Sequence, residues 1–196
     1  MDVEYKEYLR KFKHKQNRGA GGRVDSERSK TYAAEHAFIR KFKVKQFKSL
    51  KEAQKRAKQI YETKKWQKVW QLERNTDRVT STLQRQPVVV LKERNTGRGT
   101  AGWTDGRTVT LDSHAGLDEY TLLHELAHCL GHMHHGRSFR RALLELVGAF
   151  IGSEAKKTLK AEFKKRKLAC GKASKPMNIE QWRFAKQRME NIRNGK

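Results

Sequence analysis

Leu122-Leu123-His124-Glu125-Leu126-Ala127-His128-Cys129-Leu130-Gly131-His132-Met133-His134-His135-Gly136-Arg137-Ser138-Phe139 is the stretch on which the reading of this chain turns. Residues four apart on an α-helix lie on one face, one turn above each other. His124 and His128 can therefore close two imidazoles on a single metal ion. Glu125, one position on, is directed at a water beside that ion rather than at the ion itself. The residues just before favour a helix. Asp118 and Glu119 stand where a helix N-terminus prefers acids, and Leu117, Leu122 and Leu123 suit a buried face.

His124-Glu125-x-x-His128 is the H-E-x-x-H pattern of zinc hydrolases, in which the glutamate is the general base. A catalytic zinc needs three protein ligands and one open position for water. Gly131 can end the helix in a left-handed turn that sends the chain back toward the metal. Two third ligands then compete. His134 fits the spacing H-E-x-x-H-x-x-G-x-x-H. His135 fits His-Gly-x-x-Phe, in which the histidine opens a second helix and Phe139 packs one turn later, and it is the favoured choice. His132 follows Gly131 at once and has little room to turn back. The bland alternative is a structural metal site or surface histidines. A closed structural site would recruit cysteines and have no use for Glu125. Cys129 points off the ligand face and reads as a small buried hydrophobe.

The chain of 196 residues suits one domain with appendages. Its residues are 36% hydrophobic and 34% charged, so the core must be compact, with solvated helix around it. Lys and Arg number 45 against 21 acids, a formal charge of +24 that attracts polyanions, nucleic acid first among them. Two cysteines, Cys129 and Cys170, make no disulfide framework and fit a reducing compartment. No apolar run approaches the ~20 residues of a membrane span, and the charged N-terminal segment has no signal-peptide core. The expected setting is cytoplasmic, the host cytoplasm if a phage encodes the chain, or the interior of a virion. No motif sets an oligomeric state.

Residues 1–24 read as a basic arm, apolar at Val3, Tyr5, Tyr8, Leu9 and Phe12, ending in the joint Gly19-Ala20-Gly21-Gly22. Asp25 or Ser26 can cap a helix carrying Ala33, Ala34, Ala37, Phe38 and Phe42. Ser49-Leu50-Lys51-Glu52 is a capping box opening a second helix, with Leu50, Ala53, Ala57, Ile60 and Tyr61 on one side. Trp66 and Trp70 share a face and read as core anchors. Pro87-Val88-Val89-Val90-Leu91 reads as a buried strand, residues 94–102 as a loop, and residues 103–111 as a hairpin turning at Asp105-Gly106. An edge strand there could hold an extended substrate through its main chain. Beyond the histidines, residues 138–151 carry a helix apolar at Phe139, Ala142, Leu143, Leu146, Val147 and Phe150. On it Glu145 is expected to pair with Arg141 rather than with a metal. Residues 154–168 form the most basic helix, Pro176 breaks the chain, and Asn178 caps a last helix with Ile179, Trp182, Phe184, Ala185, Met189 and Ile192. Met177 reads as a helix-entry residue.

Several stretches occur in a telling order: Ser29-Lys30-Thr31-Tyr32-Ala33-Ala34-Glu35, then Phe47-Lys48-Ser49 with its helix, then Leu122-Leu123-His124-Glu125-Leu126-Ala127-His128. His135-Gly136-x-x-Phe139 and Leu143-Leu144-Glu145-Leu146-Val147 follow. In that order they resemble a family of small zinc metallohydrolases of bacteria and their phages, itself similar to the minimal SprT-like metallopeptidases. The resemblance covers residues 25–170 and is specific in its HExxH and HGxxF parts. It implies a zincin-like α+β domain, zinc on His124, His128 and His135, and Glu125 as base. Two departures stand out: His134 beside His135, and Arg137 where that family usually has proline.

The expected fold is thus α+β, with a small β-sheet packed on the metal-binding helix and additional basic helices at both ends. Its expected divisions are the arm 1–24, a domain over 25–170, and a C-terminal helix over 171–196 packed on that domain. The expected function is a Zn2+-dependent metallohydrolase, a peptidase acting on a protein or peptide substrate. Glu125 takes a proton from the attacking water and passes it to the leaving amine. A second donor must stabilise the oxyanion, and Trp103, Tyr120 and His132 are candidates. The rival reading is a basic nucleic-acid-associated protein whose zinc site is structural or vestigial. The combined form is a peptidase using its basic surface to reach proteins on DNA, as the SprT-like resemblance implies.

Overall fold

A computed structural model describes residues 3–17, 25, 27–74, 90–93, 101–132, 134–171 and 178–193. The fold is α+β. Within residues 25–172, which form one compact unit, the helices are α2 (Arg28–Lys41), α3 (Leu50–Tyr61), α4 (Lys64–Glu73), α5 (Glu119–Cys129), α6 (Arg137–Phe150) and α7 (Ser153–Lys165). The strands are β1 (Val90–Glu93), β2 (Gly102–Thr104) and β3 (Thr108–Leu111). A second unit, residues 1–24 and 173–196, contains α1 (Val3–Asn17) and α8 (Ile179–Arg193).

The sheet has the order β1-β3-β2. β1 runs parallel to β3 with Leu91 opposite Val109, and β2 runs antiparallel with Trp103 opposite Thr110. The hairpin turns where its residues dictate, because the Asp105 carboxylate accepts the amides of Arg107 and Thr108 at 2.8 and 2.7 Å. Of the expected strand over residues 87–91, positions 90 and 91 open β1, which continues to Glu93; positions 87–89 lie outside the described residues. So do the 19–22 joint, the cap candidate Ser26, the 94–100 part of the loop, Met133, Pro176 and Met177.

β2 and β3 pack on α5, which also packs on α6; α6 lies against α4 and α7, and α7 against α2. α5 is buried on every side, a helix lodged in the centre of the unit. Its N-terminus is pinned twice. Asp118 caps it through the Thr121 amide at 2.8 Å and the Thr121 hydroxyl at 2.7 Å. The chain at 45–47 pairs beside it, with the Phe47 amide donating to Leu117 and the Glu119 amide to Lys45. Around α5 the core gathers Phe38, Ile60, Leu111, Leu122, Leu123, Leu126, Phe139, Leu143 and Phe163, each removed from water. Trp66 and Trp70 are core residues, as their helical spacing leads one to expect. Ser49 caps α3 by accepting the Glu52 amide, as its capping box predicts.

Three expectations need correction. The cap of α2 is neither Asp25 nor a residue with a side-chain hydrogen bond; Glu27 occupies that position, and the Asp25 carboxylate is drawn to a buried imidazole instead. Glu145 does not pair with Arg141. It bonds Lys156 at 2.7 Å, while Arg141 reaches the buried Glu73 at 2.8 Å, so each takes a partner on a neighbouring helix instead of the other. Phe184 does not share the inward face of α8. Trp182 takes that place against Tyr5 and Tyr8 of α1, and two residues along a helix point apart, leaving Phe184 71% exposed. Asn178 does cap α8, accepting the Gln181 amide at 2.8 Å. No helix among the described residues is long and apolar enough to cross a membrane.

Candidate metal centre

α5 carries His124 and His128 on one face, and Gly131 ends it in the left-handed region at φ 89°, the conformation that favours glycine. The chain folds back and delivers His135 just before α6. Among the described residues, His124, His128 and His135 form the one group of three whose ligand atoms all lie within 4.8 Å of each other. Nε2 of His124 stands 3.2 Å from Nε2 of both His128 and His135. Two nitrogens each ~2.0–2.1 Å from a tetrahedral ion are about 3.3 Å apart, so the spacing fits a zinc-sized cation.

The other ring nitrogen explains why these atoms face inward. His124 Nδ1 is 3.0 Å from the Glu35 carboxylate, and His135 Nδ1 is 2.5 Å from Asp25 Oδ2. His128 Nδ1 is 2.5 Å from the backbone carbonyl of His132. Each Nδ1–H thus has an acceptor, which leaves each Nε2 free to offer a lone pair. Three lone pairs converging in a buried space repel one another until a cation joins them. Burial holds His128 well below the usual imidazole range, helped by the charges of His124 and His135. His135 is lowered by burial too, with Asp25 opposing. Burial works against a charged His124, but Glu35 outweighs it and the net direction is upward.

Phe139, on the first turn of α6, forms the floor: its ring stacks on His128 at 4.4 Å and meets His124 and His135 edge-on at 4.9 and 4.8 Å. His134 is half-buried and lies outside the group. The backbone makes the choice. The His135 amide donates to Asp25 at 2.9 Å, and its carbonyl accepts from Arg140 at 2.6 Å and from Thr31 at 3.3 Å. Arg140, fully buried, also reaches Glu27 and the Ala169 carbonyl, and so ties the start of α2 and the segment after α7 to the ligand loop.

Glu125 is buried beside His124, and burial pushes its carboxyl up to about 7; the charge of His124 opposes this and Glu35 adds to it. The β2 edge passes directly over it. A Cβ on Gly102 would meet Glu125 Oε1 at 2.7 Å, so only glycine lets the strand come this close. Cys129 faces away, 3.5 Å from the Thr104 hydroxyl, its thiol pushed up to about 12 by burial. Both cysteines are free.

The three residues offered for the oxyanion are placed differently. Trp103 is 49% exposed on the edge strand, Tyr120 is buried with its phenol toward Glu35, and the His132 ring bonds the Glu73 carbonyl at 2.7 Å. Sequence reading gave Glu35, Asp25, Tyr32 and Arg140 no part in the site. The one available signal was the spacing Arg28, Tyr32, Glu35, a single stripe of α2 that combines ionisable and aromatic residues on a face otherwise expected to be apolar. Set against known proteins, the chain matches no family model, no curated protein and no solved structure.

Proposed function

We propose that this chain is a zinc-dependent metallohydrolase with a zincin-like site, a peptidase in which His124, His128 and His135 hold the ion and Glu125 is the general base. The observation that carries this reading is the convergence of three Nε2 atoms whose Nδ1 atoms all have acceptors, beside a buried carboxylate with no ion-pair partner of its own among the described residues. Three imidazoles with a fourth position open is a catalytic donor set; a structural zinc would recruit the cysteines, and Cys129 is turned away. A zinc ion bound there supplies an acidified water and a polarised carbonyl. Glu125, raised toward neutrality by burial, takes a proton from the water and returns it to the leaving nitrogen. The β2 backbone at Gly102, on a sheet edge against Glu125, offers main-chain partners to an extended peptide. The resemblance of the histidine segments to SprT-like metallopeptidases supports the same activity.

Hydrolysis of fluorescein-labelled casein by zinc-loaded protein tests this reading. Wild type should cleave it, and Glu125→Gln should keep its zinc and lose cleavage. Zinc-loaded wild type that cleaves no polypeptide would overturn the peptidase reading.

A second reading has its own observation. Lys160 and Lys164 stand exposed one turn apart on α7 and Lys167 stands exposed just past its end, none of them ion-paired among the described residues, in a chain of net charge +24. Such a stripe suits a nucleic-acid backbone, either in a binding protein with a vestigial site or as a docking surface of the enzyme. Binding to duplex DNA should then weaken steeply with salt, and the triple Gln variant at these lysines should flatten the log–log slope by about 3.

A further inference from the structure

We propose that Tyr32 is the missing electrophilic residue of the site: its phenol O–H donates to the carbonyl oxygen that becomes negative as water adds, and Arg28 positions it. This assignment rests on the metallohydrolase reading. α2 presents Arg28, Tyr32 and Glu35 at i, i+4 and i+7, one stripe turned toward the histidines. Glu35, deepest in that stripe, holds His124. Tyr32 comes next, its ring edge-on to His135 at 4.7 Å and 5.9 Å from His124. It is half-buried, so packing holds it while part of it stays accessible to an incoming molecule. Arg28, exposed one turn before it, lies with its guanidinium 5.3 Å from the Tyr32 ring centre.

That contact bears on the chemistry. A cation against the ring draws electron density from the phenol, which makes its O–H a stronger donor while the proton stays on it. Glu125 adjoins His124 on α5, and Tyr32 packs against His124 and His135, so both flank the same histidines. The base and the electrophile thus address one reacting carbon. As the water oxygen bonds to that carbon, its proton goes to Glu125 and the C=O π pair moves onto the carbonyl oxygen, which the Tyr32 O–H then bonds without giving up its proton. When the C–N bond breaks, the pair returns to re-form C=O and Glu125 passes its proton to nitrogen. Other donors are poorly placed for this part: the Tyr120 phenol faces Glu35 behind His124, and the His132 ring is engaged by Glu73.

Tyr32→Phe keeps the ring against His135 and removes only the hydroxyl. Zinc content should stay at about one per chain, kcat on labelled casein should fall on the order of 10²–10³-fold, and KM should change little. Affinity for the phosphinic isostere of a Phe-Ala dipeptide, which carries a tetrahedral anionic centre, should drop by a similar factor, read by calorimetry without turnover. Arg28→Gln should lower kcat at constant KM, Arg28→Lys should restore part of it, and Arg28→Gln should add nothing in the Tyr32→Phe background. A merely structural arginine would act additively. Tyr32→Phe within threefold of wild type in isostere affinity would overturn the assignment, whether or not casein is cleaved. Zinc-loaded wild type that binds the isostere in a Tyr32-dependent way yet cleaves nothing would overturn the peptidase reading alone, and wild type that does not bind it would overturn both.

Discussion

The segment that supplies the three proposed metal ligands and the segment that aims them are built on opposite principles. His124, His128 and His135 follow each other closely, two on one helix and the third just past its glycine turn. Asp25, Tyr32 and Glu35 come from the start of the unit, with Asp25 and His135 110 residues apart. The first set determines whether an ion can bind. The second determines which nitrogen of each ring faces it, since an imidazole whose Nδ1 lacks an acceptor is free to turn or to change tautomer. Arg140 belongs to neither set and holds both, joining the His135 carbonyl to Thr31 and Glu27 on one side and to Ala169 on the other.

This contrast gives a graded set of expectations. Removing a ligand should cost most: if about 10–16 kcal/mol of zinc affinity is shared over four positions, His124→Ala or His128→Ala weakens zinc by on the order of 10²-fold or more, measurable against a chromophoric chelator. Removing the tie should act on stability. Arg140→Met leaves the buried His135 carbonyl with only the longer Thr31 bond and takes the donor from the Ala169 carbonyl, so urea unfolding should register a loss of about 1–3 kcal/mol, with Glu27 adding little because it is part-exposed. Loosening the braces should act on zinc alone. Glu35→Gln and Asp25→Asn should weaken it by about 10–100-fold with the larger effect at the more deeply buried Glu35, and equal losses to those of a ligand variant would erase the distinction drawn above.

The smallest effect lies away from the site, where α2 meets α7. Glu162 is buried among Lys41, Arg166 and Lys165, and the Lys41 and Arg166 hydrogen bonds hold its carboxyl down at about 2 against an ordinary 4.5. A carboxyl depressed in the folded state stabilises the protein fully above its unfolded value and loses that contribution as pH falls through the folded one. Glu162→Gln should therefore destabilise at pH 7, and the gap to wild type should close between about pH 4.5 and pH 2 in urea titrations. A gap that is constant with pH would mean the ion pairs contribute nothing.

What could be read from the sequence was what local rules govern. The Ser49 and Asn178 caps, the Asp105-Gly106 turn, the Trp66 and Trp70 anchors and the glycine stop at Gly131 each depend on neighbours within a few positions. The α+β class followed from the change of period from residue 85 and from the buried helix after the hairpin. The choice between His134 and His135 was not local: it is made by Asp25 and Arg140, which no spacing brings together. For the same reason Asp25 read as a helix cap and Glu145 as an intrahelical partner. A short-range role was available to each, and a buried imidazole or a lysine on the next helix competed for it successfully. Tyr32 and Glu35 stood in a quoted stretch, but with no sign there that one helix would set both against the histidines.

The central claim is that three histidines hold one zinc. Elemental analysis of purified wild type, His135→Ala and His134→Ala tests it most directly. About one zinc per chain in wild type and in His134→Ala, with loss in His135→Ala, is the result this account requires. Zinc that survives His135→Ala and disappears with His134→Ala, or wild type with no zinc at all, would contradict it.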